Sequence, residues 1–120
     1  MEALYIGPFP EINPLQIASR NYNEFELIIA LRNKNEQAFS YLYDNYAANL
    51  NNIILRRVNN RELSEDILQE VFIKIWNNFN NYDQSKGKLF TWMVSITKNM
   101  VIDFLHNALY FLNLQKLIII

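Results

Sequence analysis

Cysteine is absent from this 120-residue chain, which removes disulfide bonds, thiolate metal sites and cysteine nucleophiles together and fits a reducing, cytoplasmic setting. Histidine occurs once, as His106, so a histidine metal site or a catalytic dyad would lack a partner of its own kind, and a surface role is the expected one. Prolines number three, and all of them (Pro8, Pro10 and Pro14) fall within the first 22 residues. That stretch has no sustained period and reads as an N-terminal tail, 1–22, that does not define the fold, whether or not it docks. No basic region leading into an apolar run marks a secretory signal, and no window approaches the ~18 uninterrupted apolar residues of a membrane span. A membrane partner is not expected. Nor is there an excess of positive charge: the formal net charge is −1, whereas domains that coat nucleic acid by bulk electrostatics have pI above about 9. Any DNA contact must then be local, or assisted by a larger basic partner.

What the chain does have is apolar residue, 51% of the total, with 14% aromatic. That suffices for one packed domain and argues against wholesale disorder. Asparagine recurs in pairs, Asn51-Asn52, Asn59-Asn60, Asn77-Asn78 and Asn80-Asn81, and is read as compositional drift on exposed surface.

The hydrophobic period is helical throughout, with no useful stretch of alternation, so the predicted fold class is all-α, a compact bundle of about four helices. The first helix is expected over Glu24 to Arg32, with Phe25, Ile28, Ile29 and Arg32 at helical spacing and Asn33-Lys34-Asn35 as the turn after it. A long second helix runs from Glu36 to about Val58 on a stripe of Phe39, Leu42, Tyr43, Tyr46, Leu50, Ile53 and Ile54. Ser64, followed by Glu65 and Asp66, is the N-cap expected to start the third. Its core stripe is Ile67, Leu68, Val71, Phe72, Ile75, Trp76 and Phe79. After an Asn-rich stretch and a loop over Asp83-Gln84-Ser85-Lys86-Gly87, the fourth runs from about Lys88 past Asp103, burying Leu89, Met93, Ile96, Met100 and Phe104.

Three surfaces remain. On the third helix, Asp66, Gln69, Glu70, Ile73 and Asn77 share one side. A solvated face explains them about equally well, but Ile73 is an apolar residue ringed by hydrogen-bonding groups, as in a modest protein interface. The loop gathers Tyr82, Lys86 and Lys88, the residues expected to make contact there, with Phe90 and Trp92. Aromatic faces stack on unpaired bases and lysines neutralise phosphate, while one or both of Phe90 and Trp92 can instead plug the core. On the fourth helix, Ser95, Lys98, Asn99, Ile102, Asp103 and His106 lie opposite the core stripe. They suit either solvent or a DNA groove. No paired carboxylates, metal cluster or activated nucleophile can be assembled, so neither an enzyme nor a cofactor is expected.

Four segments, AFSYLYDNY from Ala38, SEDILQEVFIKIW from Ser64, YDQSKGKLFTWM from Tyr82 and ITKNMVID from Ile96, resemble in order and spacing the extracytoplasmic-function sigma factors of bacterial RNA polymerase. The resemblance covers about residues 24–106 and concerns their conserved second region. It implies a transcription initiation domain that docks on the clamp helices of the polymerase β′ subunit through Asp66, Gln69, Glu70 and Ile73. It further implies that the loop from Tyr82 to Lys88 receives an extruded base of the melted non-template strand of the minus-ten promoter element. Lys98, Asn99 and Asp103 would lie beside that element, and an anti-sigma factor is a further partner the resemblance suggests. The alternative is a sigma-like helical module that binds β′ or an anti-sigma factor without reading a promoter.

Two departures stand out. Family members follow the Asp at position 103 with an Arg a few residues on and then a basic run, whereas here His106 precedes NALYFLNLQKLIII. The region-four domain that reads the minus-thirty-five element has no counterpart in these residues, which leaves an excised domain, a shifted reading frame or a natural remnant as readings. The expected organisation is therefore a tail over 1–22, the region-two domain over 23–106 and an atypical apolar segment over 107–120. That last segment, with Leu109, Leu112, Leu117 and three final isoleucines, is expected to pack on the bundle, self-associate or lower solubility.

Overall fold

The computed structural model describes residues 21–119. Among these the elements are α1 (Glu24–Arg32), α2 (Glu36–Val58), α3 (Arg61–Asn77), a 3-10 turn (Phe79–Asn81) and α4 (Leu89–Ile119), with no strand. The all-α expectation holds. Of the expected tail, only Asn21 and Tyr22 lie within the described residues, and Tyr22 belongs to the core, its ring meeting Tyr41 edge-on at 5.2 Å.

Asparagine sets the helix boundaries. Asn23 caps α1 in a reciprocal capping box with Glu26, and Asn35 and Asn60 cap α2 and α3, accepting from the amides of Ala38 (2.9 Å) and Leu63 (3.0 Å). Asn33, Asn59 and Asn78 close the C-terminal ends, Asn59 in the left-handed conformation at φ 53°. The reading of paired asparagines as drift is therefore corrected, because one member of the Asn59-Asn60 pair ends a helix and the other starts the next. The expected start at Ser64 is corrected too. The α3 helix begins three residues earlier, and Ser64 is fully buried with its hydroxyl donating back to the Arg61 carbonyl at 2.8 Å.

The most extensive packing is between α2 and α3, with α4 laid against both and α1 against α2. Aromatic edges hold the first pair together: Phe39 meets Phe72 at 6.0 Å and Trp76 at 4.9 Å, and Tyr43 meets Phe72 at 4.7 Å. The α4 core stripe is Leu89, Met93, Thr97 and Val101, all essentially inaccessible, with Ile96, Met100 and Phe104 half-buried beside it. Thr97 is tolerated there because its hydroxyl donates to the Met93 carbonyl at 2.8 Å. On α1 the buried residues are Leu27, Ile28 and Leu31, while Phe25 and Ile29, which share the helical spacing of Ile28, are 64% and 46% exposed.

The α4 helix runs 31 residues, about 46 Å at about 1.5 Å per residue. Among the residues up to 118 whose burial is described, Val101 is the last buried one on this helix, and the expected separate segment beyond 106 continues the same helix. Leu109, Leu112 and Leu117 do not pack on the bundle but are 56–72% exposed; the side chains at 119 and 120 lie outside the described residues. No helix among those described is long and apolar enough to cross a membrane.

Candidate functional site

The loop between the 3-10 turn and α4 is built around Tyr82. Its ring fills the space between Phe79 (5.8 Å) and Trp92 (5.3 Å), leaving the residue 3% exposed, and its hydroxyl donates to the Gly87 carbonyl at 2.9 Å. From α1, the Arg32 guanidinium donates to the Tyr82 carbonyl at 3.0 Å and lies 5.9 Å from the centre of the Phe79 ring. Within the loop, the Asp83 carboxylate accepts from the Ser85 amide (2.9 Å) and hydroxyl (2.6 Å), and the Lys86 amide donates to the Asp83 carbonyl. This is an Asx turn, which aspartate favours because its short side chain bonds backbone two residues on. Gly87 is not demanded by crowding, since a Cβ there would meet nothing within 4 Å.

These ties leave a cavity of about 230 Å³ between the loop and the first turns of α4. Asn81, Tyr82 and Asp83 line one side and Lys86, Gly87 and Lys88 another, with Thr91, Trp92 and Ser95 contributed by α4. Burial pushes the Tyr82 phenol above its ordinary pKa, with Glu24 and Asp83 acting in the same direction and Arg32 opposing them. The Ser85 hydroxyl and amide hold the Asp83 carboxyl below its ordinary value. An ionised carboxylate and two lysines thus face one small opening beside an aromatic ring.

The expectation that Tyr82 offers a free ring face is corrected by its burial: it builds the wall. Phe90 and Trp92 are both half-buried against the core, Phe90 stacked on Tyr46 at 5.6 Å, but of the two only Trp92 lines the cavity, so it is the aromatic that presents surface there. Lys86 and Lys88 are exposed on the rim. Lys98, Asn99 and Asp103 are exposed too but lie outside the cavity, along the face of α4 that continues from Thr91 and Ser95 at spacings of three and four.

On α3, Asp66 and Glu70 are exposed while Gln69 and Ile73 are half-buried. Glu70 and Ile73 join Lys74, Asn77, Asn78 and Met100 of α4 around an open depression of about 350 Å³, which Asp66 and Gln69 do not line. The four expected docking residues therefore form a face of which only part is concave. The sequence places Asp83 in the loop and Ser95 on the outer face of the last helix, but sequence reasoning missed Asn81 and Thr91 in the cavity, missed Lys74 and Asn78 in the depression, and gave Met100 to the core alone. Thr91 follows Lys88 at helical spacing and was within reach of the pattern. Arg32, fifty positions from the carbonyl it holds, was not. Among the described residues no group of His, Cys, Asp or Glu is placed to hold a metal ion.

A family profile described as sigma-70 region 2 matches residues 42–108. Curated relatives include the ECF RNA polymerase sigma factor SigX of Bacillus subtilis, 32% identical over 68 residues, which are 57% of this chain and 34% of SigX. The ECF RNA polymerase sigma factor SigK of Mycobacterium tuberculosis is 24% identical over 68 residues, 57% of this chain and 36% of that protein. Its namesake in Mycolicibacterium vanbaalenii is 26% identical over 77 residues, 64% and 39%. The chain thus spans little more than a third of the length of these relatives, and no solved structure matches it. With more than half of its length matched by the region-two profile, and with that match covering the loop cavity and most of the bundle, the chain belongs to the sigma-70 region 2 family.

Proposed function

We propose that residues 23–106 form a transcription initiation module, non-enzymatic and without a cofactor, that works inside a bacterial RNA polymerase complex in the cytoplasm. The α3 face of Asp66, Gln69, Glu70 and Ile73 docks on the β′ clamp helices. The loop cavity takes an unpaired base from the non-template strand of the minus-ten element. Lys86 and Lys88 meet phosphates, Trp92 supplies the stacking surface, and Lys98, Asn99 and Asp103 lie along the neighbouring DNA.

One observation carries this reading. A cavity with a half-buried tryptophan and two exposed lysines opens at one end of an exposed polar helix face, and the half-buried Ile73 sits among polar groups on a different helix. Two separate surfaces suit two partners. The net charge of −1 is no obstacle if the polymerase supplies much of the electrostatic grip.

A second reading, a module that binds β′ or an anti-sigma factor without reading a promoter, is favoured by the α4 surface beyond Asp103. There His106 and Lys116 are the only residues capable of positive charge up to the end of the helix. Both readings share the docking face. Capture of a β′ clamp-helix fragment should fall at least about tenfold when Gln69→Ala is combined with Ile73→Glu, given the cost of placing a charge in a desolvated contact. Unchanged capture by the folded double variant would refute the docking assignment.

A further inference from the structure

We propose that Arg32 and Tyr82 are positioning residues that hold the loop cavity open in the free protein, so that an incoming base meets a preformed site. The proposal rests on the reading that this cavity receives an unpaired base. Neither residue owes its position to that reading, because Arg32 lies on α1, outside both proposed faces, and Tyr82 is buried.

The geometry is that of a latch closed at both ends by one residue. The Tyr82 carbonyl accepts from Arg32 at 3.0 Å, which fixes the start of the loop to the last turn of α1. The Tyr82 hydroxyl donates to the Gly87 carbonyl at 2.9 Å, which fixes the end of the same loop. Between these points the Asp83 turn orders the backbone, through bonds to Ser85 and Lys86. The Tyr82 ring cannot swing freely, being wedged between Phe79 and Trp92. Trp92, the proposed stacking surface, therefore leans on the side chain that closes the loop. A loop ordered before binding avoids paying its ordering entropy at the moment of capture.

The positions of Arg32 and Tyr82 also make a general stability role distinguishable from a positioning one. The Tyr82→Phe substitution keeps the wedged ring and removes only the hydroxyl. The Arg32→Gln substitution removes the charge and much of the reach, whereas Arg32→Lys keeps a cation able to donate to the carbonyl. Hydrogen exchange at the Ser85 and Lys86 amides reports loop opening directly, while exchange in α2 and α3 reports the bundle.

The full chain is examined by amide exchange and by affinity for a fluorescent single-stranded minus-ten oligonucleotide, intact or with one abasic position at a time, in complex with core polymerase. In Tyr82→Phe and Arg32→Gln, Ser85 and Lys86 should exchange about threefold to tenfold faster, as expected for the loss of one hydrogen bond, with core amides unchanged and partial recovery in Arg32→Lys. The affinity carried by the one base that occupies the cavity should fall by a similar factor, with the other positions unaffected. Loop amides that exchange as in the unsubstituted chain overturn the latch. Faster loop exchange with undiminished capture overturns the positioning role. If no abasic position matters even in the unsubstituted chain, base capture itself fails and positioning fails with it, an outcome told apart from the first two because it needs no variant.

Discussion

Lys34 donates from its ammonium to the backbone carbonyl of Trp76, and the same ammonium lies 4.8 Å from the centre of the Trp76 ring. The contact joins the turn between α1 and α2 to the last turn of α3, where a helix leaves carbonyls without intrahelical partners and where a cation is favoured. Lys34 also has φ 57°, a left-handed conformation that costs an L residue roughly 1–2 kcal/mol. The side-chain contacts offset a backbone that would suit glycine better.

Lys34→Met, which loses the contacts and keeps the strain, should destabilise the bundle by about 1–2 kcal/mol. Lys34→Gly loses both and should recover about 1 kcal/mol of that. Urea unfolding measures each as a shift in midpoint at constant slope. Equal midpoints for the two variants would mean that the backbone at Lys34 carries no strain to be offset.

The asparagine caps make a second set of expectations. Asn60→Ala removes the acceptor for the Leu63 amide and should cost about 1 kcal/mol, or roughly 4–8 °C in Tm for a domain of this size. At Asn59, where φ is 53°, alanine should cost a similar amount while glycine is tolerated. Thermal unfolding of the three variants checks the order.

The same residues show how far the fold could be read in advance. Helix number, class and most of the core stripes followed from apolar spacing alone, since α2 and α3 are long enough to fix the phase of their buried faces. In the nine-residue α1, apolar residues run nearly all round, so Phe25 and Ile29 could not be told from Leu27 and Leu31. Ser64 and Asn60 are both capping residues, four apart. What separates them is that Ser64 lies on the line of Ile67, Leu68 and Val71, which burial enforces once α3 starts earlier. Thr97 falls on the line of Met93 and Val101, and its hydroxyl is satisfied locally, so a polar residue sits where Ile96 and Met100 were expected.

At the candidate site the exposed lysines at 86, 88 and 98 and the α3 face were legible as polar residues outside the stripes. The burial of Tyr82 was not, because it depends on Phe79, Trp92 and Arg32 converging from three elements. Apolar period describes one helix at a time and carries no information on such convergence.

The Asp83 turn should depend on pH with a definite sign. Bonds from Ser85 hold the carboxyl below its ordinary pKa. The stabilisation is therefore present above the ordinary carboxylate value and is lost as pH falls through the lower value of the folded state. Protection of the Ser85 amide should decline on acidification across that interval, and Asp83→Asn, which keeps an acceptor but cannot titrate there, should abolish the dependence. An unchanged acid profile in that variant would assign the titration to another group.

The central claim, that this region-two domain holds an unpaired base at the loop and the strand along α4, is tested most directly by binding of a fluorescent single-stranded minus-ten oligonucleotide with core polymerase present. Trp92→Ala should weaken capture at least about fivefold through the lost stack. Lys86→Ala should weaken it across sequences and reduce the salt dependence by about one unit of slope, and Asn99→Ala should weaken it at neighbouring positions. Capture indifferent to all three substitutions, or no capture by the unsubstituted chain, would contradict the account.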